Sequence, residues 1–251
     1  MSDNSIAIFG DSFGQPILCG DTTQHPSFIA DDQPSWHKNI GAVSYAMGGT
    51  DIQHAFLEFE KYHSKYDQII FVLTHPERIT LFDDNNRMLR YTGTGDYDNI
   101  IKECSTLGHF ELRDMWKELS GLKVVNANIS YYDRNNLNYF MVMERLKQLR
   151  PDIKFIPAYI DDSGVSDMFY EKDIPTLDTI SRLEEKIMNW QDIDLTNDAR
   201  VAHLTEESHV ILTTLISKWL TTEEMFFKFD IQEFKKINPD RSKYDISKWK
   251  R

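Results

Sequence analysis

The first apolar run and the loop that ends it constrain the fold most. Ile6-Ala7-Ile8-Phe9 is short and uninterrupted by polar residues, the pattern of a strand buried on both faces, as in parallel sheets. Gly10-Asp11-Ser12-Phe13-Gly14 breaks it at once. A serine between two glycines at the exit of a buried N-terminal strand stands where α/β folds place their chemistry, at the carboxyl end of the sheet. A serine hydroxyl is a weak nucleophile without a base to take its proton. A site built on Ser12 therefore needs a base and oxyanion donors from elsewhere in the chain.

The order of the later elements agrees with such a fold. Residues 15–38 hold Pro16, Gly20, Pro26 and Pro34 and read as a long loop with a short helix near 27–30, ending where Trp36 packs. A second strand is expected over 40–47, followed by Gly48-Gly49-Thr50-Asp51. Thr50 or Asp51 then caps a helix over 52–62 with Ile52, Phe56 and Phe59 on one stripe. Residues 66–74 are the strongest strand, bounded by His75-Pro76. Strand, loop, strand, helix, strand predicts an α/β fold with a parallel sheet.

Beyond this, 83–98 reads as loop and 97–119 as helix broken near Gly108. A long helix is expected over 131–149, and a strand over 153–160 whose Pro157 places it near an edge or at a bulge. An amphipathic helix over 175–190 and an acidic loop over 192–202 follow. The helix over 204–220 is expected to turn Val210, Leu212, Leu215, Ile216 and Leu220 to the core. From Lys228 the composition shifts to eight Lys/Arg against four Asp/Glu, on a chain whose total charge is −12. The division expected is an α/β domain over 1–222 and a basic C-terminal extension over 223–251. That tail either folds back on the acidic body, docks on a protein partner or another copy of the chain, or is a solvated extension.

Composition removes several classes. With 41% hydrophobic and 12% aromatic residues, the chain has the material for a core. The net charge of −12 argues against a nucleic-acid binder, which presents a basic face, and against adhesion to anionic membranes. Cys19 and Cys104 are the only cysteines, too few for a disulfide framework or a four-ligand zinc site. His203 and His209 are six apart and do not share a helix face as i, i+4 ligands do, and Gly10-x-x-x-Gly14 lacks dinucleotide spacing. No metal and no cofactor are expected. The polar start Met1-Ser2-Asp3-Asn4 lacks the features of a signal peptide. No apolar run approaches the ~18 residues of a membrane helix. The expected location is the cytoplasm, or a virion assembled there.

Three blocks together carry a resemblance. Ile8-Phe9-Gly10-Asp11-Ser12, then Gly48-Gly49-Thr50 after the second strand, then His203-Leu204-Thr205-Glu206-Glu207-Ser208-His209 before the last long helix make the chain resemble the SGNH (GDSL-type) hydrolases. The resemblance implies a three-layer α/β/α sandwich around a parallel sheet of about five strands, flavodoxin-like in order. It implies Ser12 as nucleophile, His203 as base, and the backbone N–H groups of Ser12 and Gly49 as oxyanion donors.

Two positions depart from the family pattern. Where the family has Gly-x-Asn-Asp after the third strand, this chain has Thr74-His75-Pro76-Glu77-Arg78. Thr74, His75 or Arg78 would have to replace the asparagine as an oxyanion or substrate contact. Where the family has Asp three residues before the histidine, this chain has Arg200, so the orienting acid falls to Asp198, to Asp194 or to a backbone carbonyl.

The activity implied is hydrolysis of a small acyl or O-acetyl ester, with an acetylated glycan as one substrate class. Trp36, Tyr91 and Tyr97 are aromatics suited to a sugar-facing cleft. The alternative is a degenerate SGNH fold serving as a non-catalytic glycan-binding or virion structural module, of the kind phages and bacteria encode.

Overall fold

The computed structural model of the chain describes residues 5–11, 13–14, 35–47, 50–75, 78–82, 88–91, 131–159, 174–188 and 204–238. Four strands form one parallel sheet: β1 (Ile6–Phe9), β2 (Val43–Ser44), β3 (Gln68–Leu73) and, after a hairpin, β6 (Lys154–Pro157). Their order is β2-β1-β3-β6. Ile8 pairs with Ser44 on one side and Ile70 on the other, and Ile70 pairs in turn with Lys154. The chain steps outward from β1 to β2 and then returns across β1 to β3. The sheet therefore switches direction between β1 and β3, the position at whose carboxyl ends α/β sheets place their ligand sites.

β1, β3 and β6 have apolar side chains on both faces because both are covered, whereas Val43 of β2 is 47% exposed. Residues alternate faces along a strand. Ile8, Ile70, Val72 and Ile156 lie in one buried cluster with Leu177 and Ile180 of α4 (Leu177–Met188), Leu212 and Ile216 of α5 (Glu206–Trp219), and Trp36 of the short α1 (Trp36–Asn39). Ala7, Phe9, Ile69, Phe71 and Phe155 lie in the other with Ile52 and Phe59 of α2 (Ile52–Tyr62) and Met143 and Leu146 of α3 (Tyr131–Leu149). Among the described residues, no helix is long and apolar enough to cross a membrane.

The cap of α2 is Asp51, whose carboxylate accepts the His54 N–H at 2.8 Å. Asp51→Ala leaves that donor unsatisfied and is expected to cost about 1 kcal/mol, measured as a lower urea midpoint with an unchanged denaturant slope.

Four expectations need correction. The loop expected over 83–98 contains a strand: β4 (Ile79–Phe82) and β5 (Met88–Tyr91) form an antiparallel pair outside the main sheet. The polar run at 83–87 outweighed the short, mostly apolar segments on either side, Ile79-Thr80-Leu81-Phe82 and Met88-Leu89-Arg90-Tyr91. The second strand is only Val43–Ser44. Trp36 to Asn39 already form a helical turn, and Gly41, at φ +72°, separates the two.

On α5, Val210 is 52% exposed while Leu212 and Ile216 are buried. At 3.6 residues per turn, positions two apart point about 200° away from each other, so Val210 cannot share the Leu212 face. The boundary drawn at 222/223 divides a packed unit. Phe155 N–H donates to Met225 O at 2.8 Å, and Phe227 N–H donates to Phe155 O at 2.9 Å. Phe227, with Phe234 of α6 (Gln232–Lys235), is buried in the α4/α5-side cluster. Residues 223–238 thus fold back onto the sheet.

Candidate active site

The exit of β1 is held tightly against β3. Gly10 has φ +135°, and a Cβ there would lie 2.3 Å from the Val72 carbonyl oxygen, so only glycine fits. Asp11 is fully buried. Its Oδ1 accepts the Phe13 N–H at 3.1 Å, and its carbonyl accepts the Gly14 N–H at 3.0 Å. The residues on both sides of Ser12 are therefore fixed by a compact turn.

From Asp11 a run of hydrogen bonds passes along the strand exits and returns to Gly10, the residue before it. Arg78 Nη1 donates to Asp11 Oδ2 at 2.7 Å and to Thr74 Oγ1 at 3.2 Å. Thr74 Oγ1 donates to Thr50 O at 3.0 Å. Thr50 Oγ1 donates to Met47 O at 2.7 Å, and Met47 N–H donates to Gly10 O at 3.0 Å. The run joins the exits of β1, β2 and β3, and its members border both Ser12 and the Gly48-Gly49 pair.

Tyr159, just past β6, completes the arrangement. Its hydroxyl accepts from Arg78 Nη2, and its ring lies 4.5 Å from the Arg78 guanidinium carbon. The same ring meets Phe13 and His75 edge-on, at 5.3 and 5.9 Å between centroids.

The ion pair at the centre is almost dry: the Arg78 side chain is 9% exposed and that of Asp11 0%. Burial pushes the Asp11 carboxyl above its usual range, with Arg78 the main opposing influence. Burial works equally against the Arg78 charge, but the adjoining Asp11 carboxylate and Tyr159 more than offset it, and its pKa is raised. Each charge is tenable there because of the other.

A second connection ties this turn to α5. Trp36 Nε1 donates to Phe13 O at 3.0 Å, while the Trp36 backbone N–H donates to His209 Nδ1 at 3.3 Å. His209 is 7% exposed, a buried, hydrogen-bonded histidine. The segment leading into α5 is anchored by Thr205, which caps the helix by accepting the Ser208 N–H. Glu184 of α4 accepts the Thr205 N–H at 2.9 Å, the Thr205 hydroxyl at 2.6 Å and the Ser208 hydroxyl.

Of the residues singled out from the sequence, Thr74, His75 and Arg78 come together at the exits of β1, β3 and β6. Ser12, Gly49, His203, Asp198 and Asp194 lie outside the described residues, although their described neighbours Asp11, Phe13, Thr50 and Leu204 belong to the site or the core beneath it. Tyr159 and Glu184 were missed. Tyr159 was legible as the residue leaving the fourth main-sheet strand, where the topology puts ligand contacts. Glu184 was legible as a carboxylate on the same helical stripe as Leu177 and Ile180. No protein-family model, curated protein or solved structure matches the chain.

Proposed function

We propose that this protein is a serine esterase on a divergent SGNH-type fold, a three-layer α/β/α sandwich with a parallel sheet of about five strands. The parallel bridge between Phe155 and Phe226 supports a fifth position at the β6 edge. The observation that carries the functional reading is the run of hydrogen bonds from Asp11 back to Gly10, which gathers the borders of Ser12, of Gly48-Gly49 and of the third-strand exit at the carboxyl ends of the strands. The Trp36 link from Phe13 to His209 supports the approach of the His203 block to the same place.

In this mechanism His203 takes the Ser12 proton as Ser12 attacks the ester carbonyl. The Ser12 and Gly49 N–H groups stabilise the oxyanion, and the protonated His203 returns its proton to the leaving alcohol. Water, activated by the same histidine, then hydrolyses the acyl-enzyme. Asp198 or Asp194 would fix the imidazole tautomer. Thr74, whose hydroxyl donates to Thr50 O, would act on the oxyanion by holding the residue after Gly49. His75 beside Tyr159 would face the substrate, and Arg78 would hold the floor beneath it. A small neutral acyl or O-acetyl ester, an acetylated glycan included, suits a site whose cation is already matched by Asp11.

One observation favours a second reading, a non-catalytic glycan-binding or virion structural module. The Arg78 cation that occupies the asparagine block is paired with a buried carboxylate rather than left for an oxyanion. Hydrolysis of a short-chain aryl acetate by the wild type and by Ser12→Ala separates the two. Turnover lost in a folded Ser12→Ala variant is the expected result. Equal rates in both proteins would remove the esterase reading and leave the module.

A further inference from the structure

We infer that Glu184 is a positioning residue for the catalytic histidine segment, anchoring through Thr205 and Ser208 the backbone that follows His203. This inference rests on the esterase reading. Its basis is geometric. Glu184 is 3% exposed and reaches from α4 to the start of a different helix, α5. Oε2 accepts the Thr205 N–H at 2.9 Å; Oε1 accepts the Thr205 hydroxyl at 2.6 Å and the Ser208 hydroxyl as well.

Capping does not require this carboxylate, because the Thr205 hydroxyl already accepts the Ser208 N–H. Sinking an acid into the interior, as Glu184 is sunk, opposes folding unless it is fully hydrogen-bonded. Burial accordingly raises its pKa to about 7, even with the Ser208 and Thr205 hydrogen bonds opposing that rise. The anchored residues begin immediately after His203, since Leu204 is buried in the core and Thr205 is held at both its N–H and its hydroxyl.

In Ser-His-acid sites a third group holds the base in its productive orientation. Here Arg200 stands where the family has its acid. Glu184 supplies part of that orientation from the neighbouring helix by holding Thr205 and Ser208, in the segment that follows His203 in the chain. It acts through Thr205, so it is a positioning residue and not a catalytic one.

The test uses a fluorophosphonate probe, which reacts with a serine activated by its base, on the full chain. The rate of inactivation at saturation is compared with the concentration giving half that rate, for wild type, Ser12→Ala, Glu184→Gln and Ser208→Ala. Glu184→Gln is expected to lower the saturating rate about tenfold or more, since small displacements of a reacting group are costly, while half-saturation stays unchanged. Ser208→Ala, which removes one of three donors and keeps the cap, is expected to show the same pattern at a smaller factor. It decides the matter if Glu184→Gln fails to fold.

A folded variant that reacts at the wild-type saturating rate overturns the inference, as does a change confined to half-saturation. If the wild type itself is not labelled at Ser12, the esterase reading falls and this inference with it. Labelling of the wild type with no effect of either variant removes the inference alone.

Discussion

Asp11→Ala is expected to cost about 3–5 kcal/mol of folding stability, the range for removing one partner of a buried ion pair. Domains of ordinary stability have roughly 5–15 kcal/mol in total, so the variant should unfold at a much lower urea concentration. The reason is the environment of Arg78. Its side chain is only 9% exposed, and among the described residues its polar partners other than Asp11 are two hydroxyls, Thr74 and Tyr159. The Phe13 N–H also loses its acceptor on Oδ1. Replacing Arg78 by Met in the Asp11→Ala background removes the orphaned charge. That double variant is expected to be more stable than Asp11→Ala alone, a sign reversal that only strong coupling produces. A double variant less stable than either single one would show that the pair is not coupled in this way.

The second large effect is a matched pair of opposite pH dependences. Burial, opposed by hydrogen bonds from Ser208 and Thr205, raises Glu184 from 4.5 to about 7. Burial, assisted by Lys38, lowers His37 from 6.5 to about 4. Between pH 4.5 and about 7 the unfolded chain releases the Glu184 proton while the folded protein keeps it. The contribution of Glu184 is therefore full below 4.5 and is lost as pH rises through that window. Between 6.5 and about 4 the unfolded chain takes up a proton on His37 that the folded protein refuses, so the contribution of His37 is lost as pH falls.

Each shift corresponds to roughly 3 kcal/mol at 1.36 kcal/mol per unit, and the two slopes largely cancel in the wild type. Glu184→Gln is expected to gain stability relative to wild type by ~3 kcal/mol from pH 4.5 to 7.5. His37→Gln is expected to gain by a similar amount in the opposite direction, from pH 7.5 down to 4. Urea titrations at four pH values resolve both. Variant curves running parallel to the wild type would mean that these groups titrate alike in the folded and unfolded chain.

How much of this was legible in the sequence depended on how local the signal was. Residues 131–149 stand as one helix over the expected range, and Asp51 does cap α2, because periodicity and capping are decided by neighbours a few residues apart. The parallel sheet followed from the order of apolar runs. The pairing of Asp11 with Arg78 was not legible, since nothing near either residue marks the other as its partner. The burial of Phe227 and Phe234 was hidden for a different reason: Lys228, Lys235 and Lys236 gave the segment a basic, solvated character that concealed its apolar face. The stripe that carries Glu184 was legible, but its burial was not, because a glutamate on a helix is ordinarily read as surface.

The sheet register has a consequence for how the chain reaches this state. Among the described residues, no two paired strands of the main sheet are joined by a short turn; even β1 and β2, the nearest in order, are separated by residues 10–42. Ile8 must find Ile70, and Ile70 must then find Lys154, while Phe155 waits for Phe226 from the far end. Long loops must close before such contacts yield any energy, so topologies of this kind fold slowly. Until β6 arrives, β3 presents an unpaired edge of Ile69, Ile70, Phe71 and Val72, a segment suited to intermolecular pairing. Refolding yield should therefore fall steeply with protein concentration, and the vulnerable species is the half-built sheet rather than the fully unfolded chain.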